Sequence, residues 1–182
     1  MGGGGGAVIF LVRHGEADYA RLAPHAPVYE GARRDFAPLT ALGVAQVQSA
    51  ARELQEAQPT LVVASPYTRT LQTGALLAAT FGCDLRVDPA LHDWLPVRDG
   101  RTPVTADAVR RAIDEYELWR SSGALPADRQ WETDAEMAER LKAAVERHQS
   151  PGPLVVVSHE AVIKAAAGSE TVDLASIHVL PK

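Results

Sequence analysis

The sequence predicts an α/β fold, namely a three-layer α/β/α sandwich around a mostly parallel central sheet. Short apolar runs typical of buried strands alternate with longer segments of helical periodicity. Three of these runs, residues 7–12, 61–64 and 154–157, break abruptly into polar residues. Because parallel strands place their carboxyl ends at one edge of a sheet, where ligands bind, we expect these polar residues to share a site.

The first strand leads directly into a candidate anion site. Residues 7–12 are apolar and rich in valine and isoleucine, which suits a strand buried on both faces. The residues that follow are Arg13, His14, Gly15 and Glu16. An arginine and a histidine side by side at a strand end favour the binding of an anion. The glycine lets the backbone turn sharply and lets a ligand approach closely.

A long connection follows, from residue 17 to about residue 38, and prolines interrupt it. Loops of this length in a compact domain are usually functional or mobile, so we expect this one to cover the site. Arg33 and Arg34 lie within it. We interpret them as solvated loop residues, with contact to a charged substrate as the alternative.

The first helix is predicted to begin at Thr40, whose hydroxyl can cap it, and to run to about residue 57. Its apolar residues fall at helical spacing and form one face. Pro59 ends the helix, and the strand over residues 61–64 follows.

The second helix is predicted to begin at Ser65 and Pro66, because a hydroxyl cap followed by proline is a common helix start. It should run to about residue 81, where Gly82 ends it. Arg69 then lies in the first turn, where the helix dipole disfavours a cation. A bound anion would offset that cost.

A short strand over residues 85–87 precedes a loop-like segment that contains His92, Asp93 and Trp94. We interpret the aspartate as a candidate acid, with a helix or turn cap as the alternative. The histidine is interpreted as structural or as part of a pocket wall. Trp94, like Tyr19 in the first loop, is as consistent with ordinary packing as with contact to a substrate.

Two more helices are predicted, over residues 105–122 and 133–148. Thr105 caps the first, and Thr133 with Glu136 forms a capping box at the start of the second. In the helix over residues 105–122, we expect Val109, Ile113 and Tyr116 to point inward.

The last part of the chain repeats the pattern of a strand that ends in polar residues. The run over residues 154–157 breaks into Ser158 and His159. A short helix over residues 160–167 and a last strand over residues 177–180 complete the prediction. Strands that alternate with helices in this way indicate one three-layer domain.

Length and composition bound the function. The 182 residues suit one domain with a sizeable core, which we place at residues 7–182, after a flexible glycine-rich N-terminus at residues 1–6. The formal net charge of −5 argues against nonspecific binding to nucleic acid or a membrane surface. No apolar run is long enough to span a bilayer. Cys83 is the only cysteine, so no intrachain disulfide forms, and a reducing, cytoplasmic location is expected.

Four motifs occur in order between residues 8 and 163, and they read LVRHGE, PLTALGVAQ, SPYTRTLQT and VVVSHE. Together they resemble the histidine phosphatase superfamily, which has the phosphoglycerate mutase-like fold. The resemblance implies a phosphomonoesterase of the histidine acid phosphatase type. Such an enzyme hydrolyses a small phosphorylated metabolite through a phosphohistidine intermediate, without a metal or other cofactor. We expect neither nucleic acid nor membrane as a partner, and a homodimer is left open.

The resemblance also implies roles for individual residues. His14 matches the nucleophile that accepts the phosphoryl group, and His159 matches the second histidine of the phosphate site. Arg13 and Arg69 match the two arginines that bind the phosphate. Asp93 matches the acid that protonates the leaving group. The candidate substrate-binding residues that complete the set are Gly15, Glu16 and Trp94.

Elementary chemistry agrees with these roles. Guanidinium groups supply forked donors that suit phosphate oxygens. A histidine can be both nucleophile and leaving group near neutral pH, because its unperturbed pKa is about 6.5. A carboxyl group that donates a proton must stay protonated, so the pKa of Asp93 has to be raised by burial or by a neighbouring anion. The same group, once ionised, can activate water for the second step.

This sequence departs from the family pattern at three places. Glu160 follows His159 where the family usually has glycine, which adds a negative charge beside the pocket. Ala17 and Ala20 stand where the family often has serine and asparagine. The long segment that mutases use around their acidic residue is not recognisable after Asp93. The last two departures favour a phosphatase over a mutase.

Three other functions are compatible with the same residues. The first is a phosphoglycerate mutase-type phosphotransferase, and the second is a binding module for a phosphorylated ligand that lacks turnover. The third is a metal-dependent hydrolase, whose ligands would be His14, His92, Asp93 and His159. The arginines at the strand ends argue against the third, because they would repel a cation.

Overall fold

A computed structural model describes residues 7–21, 33–100, 104–148 and 150–181, without the side chain of Arg33. Its centre is a sheet of five strands in the order β3-β2-β4-β1-β5. The strands are β1 (Ile9–Arg13), β2 (Leu61–Ala64), β3 (Asp84–Val87), β4 (Leu154–Ser158) and β5 (Ile177–Val179). All neighbouring pairs are parallel except β1 and β5, which are antiparallel. The mostly parallel α/β sheet expected from the sequence is therefore confirmed.

Five α-helices connect these strands within the described residues. They are α1 (Ala41–Leu54), α2 (Thr68–Phe81), α3 (Ala106–Ser122), α4 (Asp134–Arg147) and α5 (Glu160–Ala167). Three short 3-10 helices accompany them, at Arg33–Phe36, Gln55–Ala57 and Pro89–Leu91. The hydrophobic core lies on both faces of the sheet, because successive residues of β1 and β4 belong to different apolar clusters. The layered arrangement follows from this two-sided burial.

The register of the three central strands brings their carboxyl ends level. Arg13 at the end of β1 is paired with Ser158 at the end of β4, and Ala64 at the end of β2 is paired with Val157. The residues that directly follow β1 and β4 are therefore neighbours at one edge of the sheet. This edge is where the sequence predicts the site.

Most predicted helix boundaries are confirmed. The side chains of Thr40, Thr105 and Thr133 each accept a hydrogen bond from a backbone N–H of the first helical turn, and the capping box at Thr133 and Glu136 is complete. Helices α2, α3 and α5 end at glycines in the left-handed conformation, which are Gly82, Gly123 and Gly168.

The predicted start of α2 is wrong. The helix begins at Thr68, and its N-cap residue, Tyr67, makes no side-chain capping bond. The chain stays extended at Ser65, whose backbone N–H bonds to the carbonyl of Val157. The backbone of Ser65 is therefore held at the edge of the sheet, and its hydroxyl makes a different contact, described below. Arg69 still falls in the first turn, as predicted.

The predicted inward face of α3 is also wrong in part. Ala112 is the buried residue of this helix, whereas the side chain of Ile113 is 41% exposed. Helix α3 lies beside the rim of a pocket, so one of its apolar positions faces that pocket.

Several expectations concern residues outside the described ranges. These are the flexible glycine-rich N-terminus at residues 1–6, residues 22–32 of the first loop, and the side chain of Arg33. In the described part of the chain, no helix combines the length and hydropathy needed to cross a membrane.

Candidate active site

The structure brings five of the predicted site residues together at the carboxyl edge of the sheet. Arg13 is the last residue of β1, and His14 follows it. His159 follows β4, and Arg69 lies in the first turn of α2. The rings of the two histidines are 5.4 Å apart, centroid to centroid. Asp93 reaches the same place from the segment after the 3-10 helix Pro89–Leu91.

Arg69 is the centre of this cluster. Its Nε donates to Nε2 of His14 at 3.1 Å, and its Nη2 lies 3.2 Å from Nδ1 of His159. The same Nη2 lies 3.3 Å from Oδ2 of Asp93. The residue is only 3% exposed. A planar guanidinium therefore joins two imidazoles and a carboxyl group with donors that a phosphoryl group could accept in their place.

His14 is held in one tautomer. Its Nδ1 lies 2.7 Å from the carbonyl oxygen of Gly15, so Nδ1 carries the proton and Nε2 keeps its lone pair. Desolvation by burial lowers the pKa of His14 to about 4, and the charges of Arg69 and Arg13 act in the same direction. At neutral pH the Nε2 atom is therefore an unprotonated nitrogen that points into the site.

His159 is held from the other side of its ring. Its Nε2 lies 2.8 Å from the hydroxyl oxygen of Ser65, and its ring packs on Tyr67 at 4.9 Å. Burial, followed by the charge of Arg69, lowers the pKa of His159 well below its usual value. The contact explains why Ser65 does not cap α2: its hydroxyl orients a histidine of the site instead.

Arg13 contributes a donor that has no partner. Its Nη1 donates to the carbonyl oxygen of Val172 at 2.6 Å, and its Nη2 pairs with Glu160 at 2.9 Å. Its buried Nε has no hydrogen-bond partner. An unsatisfied buried N–H is costly, so this atom is suited to an acceptor on a ligand. Glu160, which stands where the family usually has glycine, therefore holds the guanidinium of Arg13 in place. Glu160 is itself paired with Lys164 at 2.6 Å.

Asp93 has the environment of a proton donor. Burial raises the pKa of Asp93, against the opposing effects of the Trp94 backbone N–H and the charge of Arg69. Its side chain is 38% exposed, and Asp93 lines the pocket described below. Asp35, which the sequence analysis does not single out, has its pKa raised to about 6, mainly by burial and further by the charge of Asp93. A second carboxyl group thus borders the site from the first loop.

Glu16 and Gly15 take part in packing against α1. The carboxylate of Glu16 accepts from the hydroxyl of Thr40 at 2.5 Å, and its backbone N–H donates to Gln46. Gly15 does not adopt the left-handed conformation. Its lack of a Cβ is required because such an atom would lie 2.5 Å from the carbonyl oxygen of Gly43. The glycine is therefore needed for the close approach of the α1 backbone, and the approach of a ligand to Gly15 stays a prediction.

A wide pocket opens above these residues, with a volume of about 1190 Å³. The predicted candidates Tyr19, Arg34 and Trp94 all line it. The guanidinium of Arg34 lies 4.4 Å from the ring centre of Tyr19. His92 is half-buried, and its Nδ1 lies 2.5 Å from the carbonyl oxygen of Asp93, which agrees with a structural role.

The described residues contain no group of three or more histidine, cysteine, aspartate or glutamate side chains arranged to hold a metal ion. The guanidinium of Arg69 lies between the two histidines and Asp93, where a shared cation would have to sit. A positive charge at that position would repel the cation.

A buried ion pair that the sequence analysis missed holds the Asp93 segment. Arg140 of α4 donates to the carbonyl oxygens of Ala90, His92 and Asp93 at 2.6, 2.9 and 3.1 Å. It also makes two bonds to the carboxylate of Glu132, at 2.8 and 3.0 Å. Glu132 in turn accepts from the backbone N–H of Leu95 and from the indole N–H of Trp94. Glu132 precedes α4 and Arg140 lies eight residues later within it, so no local spacing pairs the two charges and only the tertiary contacts reveal their role.

Replacement of Arg140 by lysine should misplace Asp93 while keeping the charge. Lysine cannot reach three carbonyl oxygens and a carboxylate at once. We expect kcat for an alkyl phosphate to fall roughly 10-fold, with a smaller loss for p-nitrophenyl phosphate, whose leaving group needs little protonation. Steady-state kinetics on both substrates measures this difference.

The matched control is Arg147→Lys on the same helix, because Arg147 pairs with Asp88 rather than with the Asp93 segment. His148 also contacts Asp88, so Asp88 keeps this partner in the control variant. Equal losses on both substrates in the Arg140 variant, or an equal loss in the control, would show that Arg140 has no specific effect on the acid.

Known proteins share this sequence pattern. The family model for branch 1 of the histidine phosphatase superfamily matches residues 9–176. The chain is 32% identical over 149 residues to the "Probable phosphoglycerate mutase GpmB" of Proteus mirabilis, an alignment that covers 75% of this chain and 60% of that relative. The protein of the same name from Escherichia fergusonii is 29% identical over 160 residues, which cover 81% of this chain and 67% of the relative. The matched part is thus about three fifths to two thirds of these relatives.

Solved structures share the fold. The mycobacterial glucosyl-3-phosphoglycerate phosphatase complexed with VO3 superposes with a TM-score of 0.64 at 23% identity, covering 96% of this chain and 91% of that one. The alpha-ribazole phosphatase from Shigella flexneri superposes with a TM-score of 0.61 at 21% identity, covering 94% and 89% of the two chains. At these identities the likeness concerns the fold.

Proposed function

This chain belongs to branch 1 of the histidine phosphatase superfamily, and on that premise we propose that it is a phosphomonoester hydrolase that acts through a phosphohistidine intermediate. Its substrate is a small phosphorylated metabolite. The observation that carries the proposal is the position of Arg69, whose donors reach His14, His159 and Asp93 at once. A phosphoryl group placed there meets a nucleophile, two sets of donors and an acid without rearrangement of the fold.

In the first step, the phosphoryl oxygens replace Nε2 of His14 as acceptors of the Arg69 Nε–H, and the freed Nε2 attacks the phosphorus atom as the bond to the leaving oxygen breaks. Arg69 and the unpartnered Nε of Arg13 bind the equatorial oxygens, where the charge is spread in the transition state. His159 borders the same space from the end of β4. Asp93, whose pKa is raised by burial so that the protonated form is favoured, gives its proton to the leaving oxygen.

In the second step, water attacks the phosphohistidine, and inorganic phosphate is released. Asp93 is ionised after the first step and accepts the proton of the attacking water. His14 leaves as a neutral imidazole with its proton on Nδ1, where the carbonyl oxygen of Gly15 holds it. We propose that this cycle runs in the cytoplasm in a single domain, without metal, nucleic acid or membrane.

A phosphoglycerate mutase is the second candidate, because the curated relatives carry that name. A mutase has to retain the phosphorylated intermediate and its bound sugar phosphate while water is kept out. The departures from the family pattern at Ala17, at Ala20 and after Asp93 support hydrolysis instead. The names of the structural neighbours, a glucosyl-3-phosphoglycerate phosphatase and an alpha-ribazole phosphatase, agree with hydrolysis as well.

A panel of phosphorylated metabolites and p-nitrophenyl phosphate tests the proposal directly. We expect release of inorganic phosphate that survives EDTA. Incubation with 3-phosphoglycerate and a 2,3-bisphosphate primer provides the contrast. Conversion to 2-phosphoglycerate without release of phosphate would identify a mutase, and complete inactivity of the intact protein on the whole panel would favour a binding module.

The Asp93→Asn variant tests the acid. Asparagine cannot donate a carboxyl proton, so kcat for an alkyl phosphate should fall roughly 10²–10⁴-fold, with a much smaller fall for p-nitrophenyl phosphate. In the wild type, kcat/KM should rise as the pH passes about 4, where His14 becomes neutral. It should fall again as the pH passes the raised pKa of Asp93, because the acid is then ionised.

The alkaline fall should therefore be absent from the Asp93→Asn profile, while the rise near pH 4 remains. Asp18→Asn is the matched control, since this carboxylate accepts from the N–H of Arg21 in the first loop. If both substrates were slowed equally, Asp93 would not be the proton donor.

A further inference from the structure

The pocket above the phosphate site has room for a large leaving group. Its volume of about 1190 Å³ exceeds the roughly 300–1,000 Å³ of most small-molecule sites. Arg13 and His14, between which the proposed function places the phosphoryl group, line one part of it. The walls of the remaining space therefore determine which phosphorylated alcohol the site accepts.

One wall of this space is apolar and aromatic. It consists of Trp94 from the Asp93 segment and of Ile113 and Tyr116 from α3. We call these three residues the apolar wall. Ile113 is 41% exposed, although it is a large aliphatic residue within a concavity. An exposed apolar side chain in such a position is suited to cover by a ligand.

The aromatic part of this wall is held rigidly. The rings of Trp94 and Tyr116 lie 5.4 Å apart at 55° to each other. The indole N–H of Trp94 donates to the carbonyl oxygen of Glu132 at 2.8 Å, and the hydroxyl of Tyr116 donates to Asp134. With their polar atoms occupied, both rings present only their hydrocarbon surfaces as a platform.

The charges beside the apolar wall offer no free cation to a second anion. Arg34 lies at the phosphate end of the pocket, where its carbonyl oxygen accepts from Arg69, and the two other lining cations besides Arg13 are already paired. Lys164 is paired with Glu160, and Arg120 is paired with Asp134. A carboxylate or second phosphate that reached the apolar wall would therefore be desolvated next to carboxylates and paired cations.

From this wall and this charge balance we propose that the substrate is the phosphomonoester of an uncharged alcohol that carries an aromatic ring, and that the ring packs on the apolar wall. The proposal rests on the proposed phosphatase function and names its substrate class. It assigns Ile113 as a residue that determines specificity. A phosphorylated carboxylic acid is the class that the pocket disfavours.

Three primary alkyl phosphates separate these classes, because all three have unactivated leaving oxygens. They are 2-phenylethyl phosphate, ethyl phosphate and 3-phosphoglycerate. We expect kcat/KM for the phenylethyl ester to exceed that for the ethyl ester roughly 10-fold or more, since only the first buries a ring. The value for 3-phosphoglycerate should be the lowest of the three.

The Ile113→Glu variant tests the wall itself. A carboxylate at this position should lower kcat/KM for 2-phenylethyl phosphate roughly 10-fold and leave ethyl phosphate and inhibition by inorganic phosphate unchanged. Leu118→Glu is the matched control, because Leu118 lies on the same helix, is 65% exposed and is not part of the pocket lining. Both positions are exposed enough to accept the charge without loss of the fold.

Equal kcat/KM values for the phenylethyl and ethyl esters, or a preference for 3-phosphoglycerate, would overturn the inference. So would an equal effect of Ile113→Glu on all substrates. Calorimetric binding of the same esters to a His14→Ala protein separates this inference from the proposed function. Ring-dependent binding without any turnover by the wild type would support the wall and contradict the phosphatase, whereas turnover without ring dependence would do the reverse.

Discussion

Replacement of His14 by alanine is expected to lower phosphatase activity roughly 10⁴-fold or more, the scale on which removal of an enzyme nucleophile acts. The variant loses the Nε2 atom, which lies 3.1 Å from Nε of Arg69 and is unprotonated at neutral pH. Water in its place would have to attack the phosphorus atom without a fixed position, so the advantage of orientation is lost as well. Initial rates of phosphate release measure the effect.

The covalent intermediate provides the more specific readout. Rapid quenching of the wild type with labelled substrate should trap an acid-labile, base-stable phosphoenzyme, and the His14→Ala protein should carry no label. His178→Ala is the matched control, because His178 bonds to Ser169 and Ser176 on the edge strand β5. Label that persists in the His14 variant would refute the assignment of the nucleophile.

Replacement of Arg69 is expected to have the second largest effect. An arginine that stabilises a transferring phosphoryl group contributes roughly 10³–10⁵ in rate, so Arg69→Met should lose activity on that scale. Arg69→Lys should recover little of it, because an ammonium group cannot address His14, His159 and Asp93 with fixed planar donors. Single-turnover measurements of phosphoenzyme formation isolate the affected step.

The pH profile gives Arg69→Met an independent signature. Burial is the main reason for the low pKa of His14, and the charge of Arg69 lowers it further. Removal of that charge makes protonation of His14 easier, so its pKa should rise and the acid limb of kcat/KM should move to higher pH. Arg86→Met on the exposed face of β3 should leave both the rate and the profile unchanged. An unshifted acid limb in the Arg69 variant would argue against the contact with His14.

Part of the fold was predictable because it depends on local chemistry. Threonine caps define the starts of α3 and α4, and a glycine defines the end of α3, since each satisfies backbone groups within a few residues. The uninterrupted apolar runs of β2 and β4 reflect burial on both faces, which only a sheet covered on two sides provides. The convergence of Arg13, His14 and His159 followed from the rule that parallel strands end at a common edge.

The errors arose where a local signal competed with a contact from elsewhere in the chain. Ser65 and Pro66 have the pattern of a helix start, but His159, 94 residues later, bonds to the serine hydroxyl. Ile113 has helical spacing with the half-buried Val109 and Tyr116, but the pocket beside α3 leaves it exposed. Spacing along the chain carries no information about what lies across from a residue.

The sequence by itself determined the α/β architecture, the edge of the sheet where the site lies, and the identity of the histidines and arginines gathered there. These depend on periodicity, on caps and on which residues follow a strand. Only the tertiary structure decided how these groups are tuned. Burial lowers the pKa of His14 and raises that of Asp93, and Arg140 fixes the Asp93 segment from a distance of 47 residues in the sequence. Such effects depend on distances through space and on exclusion of water, which no run of neighbouring residues encodes.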